Sequence, residues 1–135
     1  MALLQPVDNG GHAAILSGNT CFWKVRWEND GKTYVCHKWK GFTAEDAKLL
    51  GELKNAVEVA FQHPDTADDW VAPLKGLTGL KKLHLEKTKI TDKALDTIAG
   101  LANLEYLNVY KTGVTDAGLD KLNKLKKLKN LYLWQ

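Results

Sequence analysis

From Leu77 onward the apolar positions of this chain return with a step of 24 residues, so that residues 77–99 and 101–123 align without a gap. Leu80, Leu83 and Leu85 fall on Leu104, Leu107 and Val109; Thr88, Ile90, Thr91 and Asp92 fall on Thr112, Val114, Thr115 and Asp116; Leu95 and Ile98 fall on Leu119 and Leu122. A third copy begins at Leu125 and supplies Leu128, Leu131 and Leu133. Within each copy a triplet such as Leu83-His84-Leu85 alternates apolar and polar, which predicts a short strand with its leucines on one face. A threonine and an acid then precede an apolar pair at helical spacing, the pattern of an N-capped short helix with one buried side. Acids in that first turn, Asp92 and Asp116 and also Glu45 and Asp46 after Thr43, favour the helix N-terminus electrostatically. One copy cannot bury its own leucines, so neighbouring copies must stack.

The pattern L-x-x-L-x-L-x-x-T-x-[IV]-T-D-x-x-L-x-x-[IL] is that of the leucine-rich repeat. Over residues 77–135 the chain resembles bacterial repeats of the planctomycete type, which carry T-x-[IV]-T-D-x-[GA]-L. It is also similar to the cysteine-containing repeats of F-box substrate receptors, with threonine in place of their cysteine. The resemblance implies an α/β leucine-rich-repeat solenoid: parallel strands on the concave side, short helices on the convex side, and a role in recognition rather than catalysis.

Carried backwards, the same step finds a degenerate repeat. Leu53, Ala56, Val59 and Phe61 stand at strand-side positions, Val71 and Leu74 at helix positions, and Asp68 where Asp92 stands. Three steps before residues 105–122, residues 33–50 match again through Tyr34, Gly41 and Thr43. About five parallel strands follow, the first near residue 33. Ahead of it, Asp30-Gly31 is a two-residue hairpin signal between residues 21–28 and 33–39, pairing Glu28 with Thr33, Trp27 with Tyr34 and Val25 with Cys36. A further strand at 13–16 would complete an antiparallel β-hairpin cap. The 24-residue step turns Val35 and His37 inward, whereas the hairpin's more apolar face holds Tyr34 and Cys36; both alternatives stay open. The chain divides as 1–32, cap; 33–76, degenerate repeats; 77–135, regular repeats, in one continuous domain.

The outward strand positions form three columns: Glu58, Lys82, Tyr106, Asn130; Ala60, His84, Asn108, Tyr132; Gln62, Glu86, Tyr110, Trp134. Neighbours in a column lie about 4.8 Å apart. Lys82, His84, Glu86, Tyr106, Asn108, Tyr110, Asn130, Tyr132 and Trp134 are therefore the candidate partner-binding residues, for a protein or peptide. Tyr106, Tyr110, Tyr132 and Trp134 make an aromatic cluster of the kind that carries binding energy. The last strand, at the end of the sequence, is uncovered: it belongs to a longer solenoid or it pairs with another chain, a homodimer through this edge being one form.

Charge adds an asymmetry. Residues 1–74 hold 7 basic and 10 acidic side chains, and residues 75–135 hold 12 and 6, which gives −3 and +6. The lysines at 121–129 alternate with core leucines and read as a solvated surface. The mixture of Trp23, Lys24, Arg26, Trp27, Lys38, Trp39 and Lys40 offers a rival, nucleic-acid-binding site on the hairpin. No apolar run nears the ~18–20 residues of a membrane helix, and residues 1–18 lack the basic and long apolar regions of a signal peptide. Cys21 and Cys36, too few for a disulfide framework, are expected as free thiols in a cytoplasmic protein. No HExxH, CxxC, GxSxG or phosphate-loop pattern occurs, so no catalytic residue, metal or cofactor is expected.

Overall fold

The computed structural model describes strand backbones within residues 3–37. From Ala47 to Trp134 it describes backbone and side chains, except Leu53, Asn55, Gln62 and His63 and the side chains of Leu49 and Glu52. Nine strands form one sheet: β1 (Leu3–Val7), β2 (His12–Ser17), β3 (Cys21–Phe22), β4 (Lys24–Glu28), β5 (Thr33–His37), β6 (Glu58–Phe61), β7 (Lys82–His84), β8 (Tyr106–Asn108) and β9 (Asn130–Tyr132). The order is β1-β2-β4-β5-β6-β7-β8-β9, with β3 paired to β2. Pairing is antiparallel from β1 to β5, with Trp27 opposite Tyr34 and Val25 opposite Cys36. It is parallel from β5 to β9.

The parallel part is an α/β solenoid. Val59, Leu83, Leu107 and Leu131 are register partners in adjacent rungs, as are Glu58, Lys82, Tyr106 and Asn130. Among the described residues, short helices between the strands are α1 (Asp68–Val71), α2 (Asp92–Ile98) and α3 (Asp116–Leu119). Single 3-10 stretches at Ala72–Gly76 and Asp120–Lys124 extend α1 and α3, and another lies at Lys48–Glu52. Elements this short do not persist alone in water. They hold because Val71, Leu74, Leu95, Ile98 and Leu122 press against the strand leucines, all inside one core. Each such side chain contributes roughly 1.5–3 kcal/mol, set against the entropy of ordering it.

Two details differ from the sequence reading. The step from β5 to β6 is 25 residues, since Thr33 pairs with Glu58, Tyr34 with Val59 and Cys36 with Phe61. One extra residue in the degenerate repeat moves Tyr34 and Cys36, rather than Val35 and His37, onto the register of the core positions. The threonine caps are also weaker than expected. Thr91 accepts from the Lys93 amide at 3.3 Å, whereas Thr115 makes no capping bond and α1 is preceded by Ala67. Thr43 and the turns at 18–20 and 29–32 lie outside the described residues.

The turns out of the strands repeat as faithfully as the strands. Thr88 Oγ1 donates to the Leu85 carbonyl at 2.6 Å and Thr112 Oγ1 to that of Val109 at 2.7 Å. Lys87 and Lys111, at the same place one repeat apart, both take the left-handed conformation (φ 59° and 51°). That conformation costs an L-residue roughly 1–2 kcal/mol. It is held because each amide donates to the next rung, Lys87 to the Tyr110 carbonyl and Lys111 to that of Trp134.

Candidate functional site

The outward positions of β6–β9 make the concave face. Glu58, the outermost acid of β6, bonds His84 Nε2 at 3.0 Å and lies 3.5 Å from the Lys82 ammonium. The His84 ring packs on Tyr106 at 4.8 Å between centroids, and Tyr106 packs on Tyr132 at 5.3 Å. A tilted stack thus zigzags between two columns across three rungs, with offset geometry that suits aromatic quadrupoles. Partial burial, with Tyr132 and Glu86 nearby, pushes the Tyr106 phenol above its ordinary range, so it stays a neutral donor.

The expected aromatic cluster divides in two. Tyr106 and Tyr132 join the stack. Tyr110 and Trp134 lie further along, where they line a groove of about 340 Å³ with Asn108, Tyr132, Leu131 and Leu133. The Lys111 ammonium stands 5.5 Å from the Tyr110 ring centre. Trp134 is 79% exposed and Tyr132 49%. Asn108 turns inward on its own strand, its Oδ1 accepting from the Tyr110 amide at 3.1 Å. Glu86 is half-buried with one carboxylate oxygen unpartnered, and Asn130 is exposed. Gln62 and the side chains of the hairpin lie outside the described residues. Cys36 pairs with Phe61, in the register of Leu85, and Val35 falls in the column of His84. Among the described residues no group of three His, Cys, Asp or Glu is arranged to hold a metal ion, and no helix is long and apolar enough to cross a membrane.

On the opposite, convex side lies an arrangement that local reading of the sequence missed. Asp68 accepts from both the backbone N–H and Oγ1–H of Thr91, each at 2.7 Å. Asp92 does the same for Thr115, at 2.8 and 2.6 Å. The repeated acids are therefore more than helix-start charges: each clamps the threonine of the following rung in a charge-assisted pair of bonds. The Thr115 bonds hold the Asp92 carboxyl below its ordinary range. A side chain on Gly118 would run into that carboxylate and approach Leu95 Cδ1 to 2.8 Å. The small residue of the [GA] position is the visible trace of the clamp.

Residues 1–93 match the family described as N,N-dimethylformamidase beta subunit-like, C-terminal. The chain belongs to that family. Among solved structures, this N,N-dimethylformamidase beta subunit-like chain is similar to internalin C2 from Listeria monocytogenes, with 25% identity over 62% of this chain and 34% of that one, at a TM-score of 0.55. A second internalin, inlF of the same organism, aligns at 23% identity over 62% of this chain and 24% of its own, at a TM-score of 0.51, and shows the fold alone. Internalins are leucine-rich-repeat proteins, so the solenoid is of the leucine-rich-repeat kind. The chain spans about a third and about a quarter of the two internalin structures. No curated protein matches it.

Proposed function

We propose that this chain is a protein-interaction module that takes a protein or peptide on the C-terminal half of its concave face, and is not itself an enzyme. The observation that carries this reading is the pairing of a zigzag His84–Tyr106–Tyr132 stack with an adjoining groove walled by Tyr110 and Trp134. Large aromatics on a rigid sheet bury much area at small entropic cost, the usual property of interface hot spots. Lys82, Glu86, Asn108 and Asn130 supply the polar border. The leucine-rich-repeat likeness supports the reading by analogy of fold. The antiparallel strands β1–β4 fit the role of a cover for the first rung.

The test is a pull-down with the chain, with Tyr106→Ala/Tyr110→Ala and Tyr132→Ala/Trp134→Ala, and with a convex control, Lys93→Ala, all checked by circular dichroism. Loss of the same captured partner in the concave variants alone supports the reading. Retention of every partner by folded concave variants rejects it.

The family match over residues 1–93 favours a second reading, in which the chain is an accessory part of an amide-hydrolysing assembly. If the chain itself were the catalyst, incubation with N,N-dimethylformamide and water would release formate and dimethylamine. No release above the uncatalysed background is expected.

A further inference from the structure

The turns that lead into the strands line up along one edge of the solenoid. The Val57 carbonyl accepts from the amides of Lys81 and Lys82, that of Lys81 from Glu105 and Tyr106, and that of Glu105 from Lys129 and Asn130. Side chains tie the same edge together. Asn103 Nδ2 donates to the Thr78 carbonyl at 2.8 Å, and Lys127 Nζ to Asn103 Oδ1 at 2.6 Å. From residue 53 to Trp134 these turns, at 53–57, 77–81, 99–105 and 125–129, hold five lysines and one acid, whereas all the other positions together hold eight lysines and nine acids. The net positive charge of this stretch therefore sits on one edge. Its acid, Glu105, is bonded by Lys129 at 2.7 Å with Lys81 at 4.0 Å, and the Lys129 bond foremost holds the carboxyl below its ordinary range. Among the described residues no carboxylate pairs with Lys75, Lys124 or Lys126.

The lysines of this edge form two rims with a plain floor between them. Lys54 and Lys126 hold the same place three rungs apart, with Thr78 and Ala102 on the rungs between. Lys75 joins the first rim, since a Cβ on its neighbour Gly76 would stand 3.1 Å from the Lys54 ammonium. Lys124 and Lys127 join the second. Thr78, Gly79, Gly100 and Ala102 are small and exposed. At about 4.8 Å for each rung, the rims stand roughly 10–14 Å apart. We propose that this edge is a docking surface for an acidic α-helix of a partner protein, lying over Thr78, Gly79, Gly100 and Ala102 with its carboxylates directed to the lysines of both rims. A helix is about 10–12 Å across, which fills that width, and a floor without long side chains lets it come close. A nucleic-acid strand fits less well. Its phosphates follow one another without a break, whereas the cations here are interrupted at Thr78 and Ala102. No aromatic side chain in these turns gives a base a face to stack on. The edge stands apart from the aromatic concave face, so binding at either can be lost without the other.

The experiment follows the fluorescence anisotropy of a labelled, alanine-based helical peptide carrying glutamates as the full chain is added at low salt. The helix is expected to bind more tightly than a proline-interrupted peptide of the same charge, than oligodeoxythymidylate and than phosphatidylserine vesicles. Lys75→Ala/Lys126→Ala, one lysine from each rim, is expected to weaken binding by about tenfold. Ala102→Trp, which fills the floor and leaves the charge unchanged, is expected to weaken it as well. Lys87→Gly/Lys111→Gly removes the same charge elsewhere, at positions whose positive φ glycine accepts, and is expected to leave binding unchanged. Thr78→Glu reads the floor again if circular dichroism finds Ala102→Trp unfolded. No binding by the original chain overturns the proposal, as does equal or tighter binding of the interrupted peptide, the oligonucleotide or the vesicles. Equal losses in the glycine variant, or full affinity in a folded floor variant, overturn it too.

Discussion

The rung of β8 and the rung of β9 carry nearly the same apolar pattern and meet opposite fates. Leu107 and Val109 are buried by β9 and its leucines; Leu131 and Leu133 are left on an open face. Residue type does not separate them. In a solenoid a side chain is sealed by the rung that follows, so burial is a property of neighbours as much as of sequence. The clamp says the same in polar terms: Asp92 is engaged because Thr115 follows it, and among the described residues no such threonine follows Asp116.

Four substitutions press on this contrast, in falling order of effect. Leu107→Ala is expected to cost about 3 kcal/mol or more of unfolding free energy in urea, and Leu131→Ala under about 1 kcal/mol, because the first leaves a cavity and the second removes an already wet side chain. Equal losses would break the comparison. Gly118→Val puts a branched side chain where the Asp92 carboxylate and Leu95 lie, at an expected cost of roughly 1–3 kcal/mol by the same measurement. Thr66→Val acts in the other direction. Thr66 stands in the degenerate repeat where Ile90 stands in the next, is fully buried, and leaves its hydroxyl without a partner. The valine is expected to raise stability by about 1 kcal/mol, read as a higher urea midpoint.

The smallest effect is in acid. The folded carboxyl of Asp92, held down first by the Thr115 hydroxyl, sits below its ordinary value of 3.8, and that of Glu105, held by Lys129, below 4.5. A depressed acid contributes stability that is present above its unfolded value and lost as pH falls through its folded one. Stability is therefore expected to decline below about pH 4.5, and Asp92→Asn to flatten part of that decline. An unchanged acid limb in Asp92→Asn would show that the clamp carries no charge-dependent stability.

The rungs, the columns and the buried leucines were legible because each rests on a period visible along the chain. Leu83, Leu107 and Leu131 stand side by side for that reason. The clamp was harder to read. Thr91 and Asp92 are adjacent in sequence, and the helix start accounts for both, so nothing local sends Thr91 back to Asp68. The small residues Ala94 and Gly118 were the available signal, and only atomic positions give them their meaning. The 25-residue step into β6 escaped a fixed ruler, since the degenerate repeat has too few leucines to register one added residue. On the concave face, the His84–Glu58 bond crosses columns diagonally, and a column-wise reading pairs Glu58 with Lys82 instead.

The carbonyl shared by two successive amides in every rung, at Val57, Lys81 and Glu105, has an evolutionary consequence. Because the donor pair and its acceptor are separated by one constant interval, excising residues 101–124 would bring Leu125 to the place of Leu101 and rejoin the hydrogen-bond series without a frameshift in geometry. Length in such a protein can change by whole units through gene duplication or loss, each event leaving the surviving turns as they were.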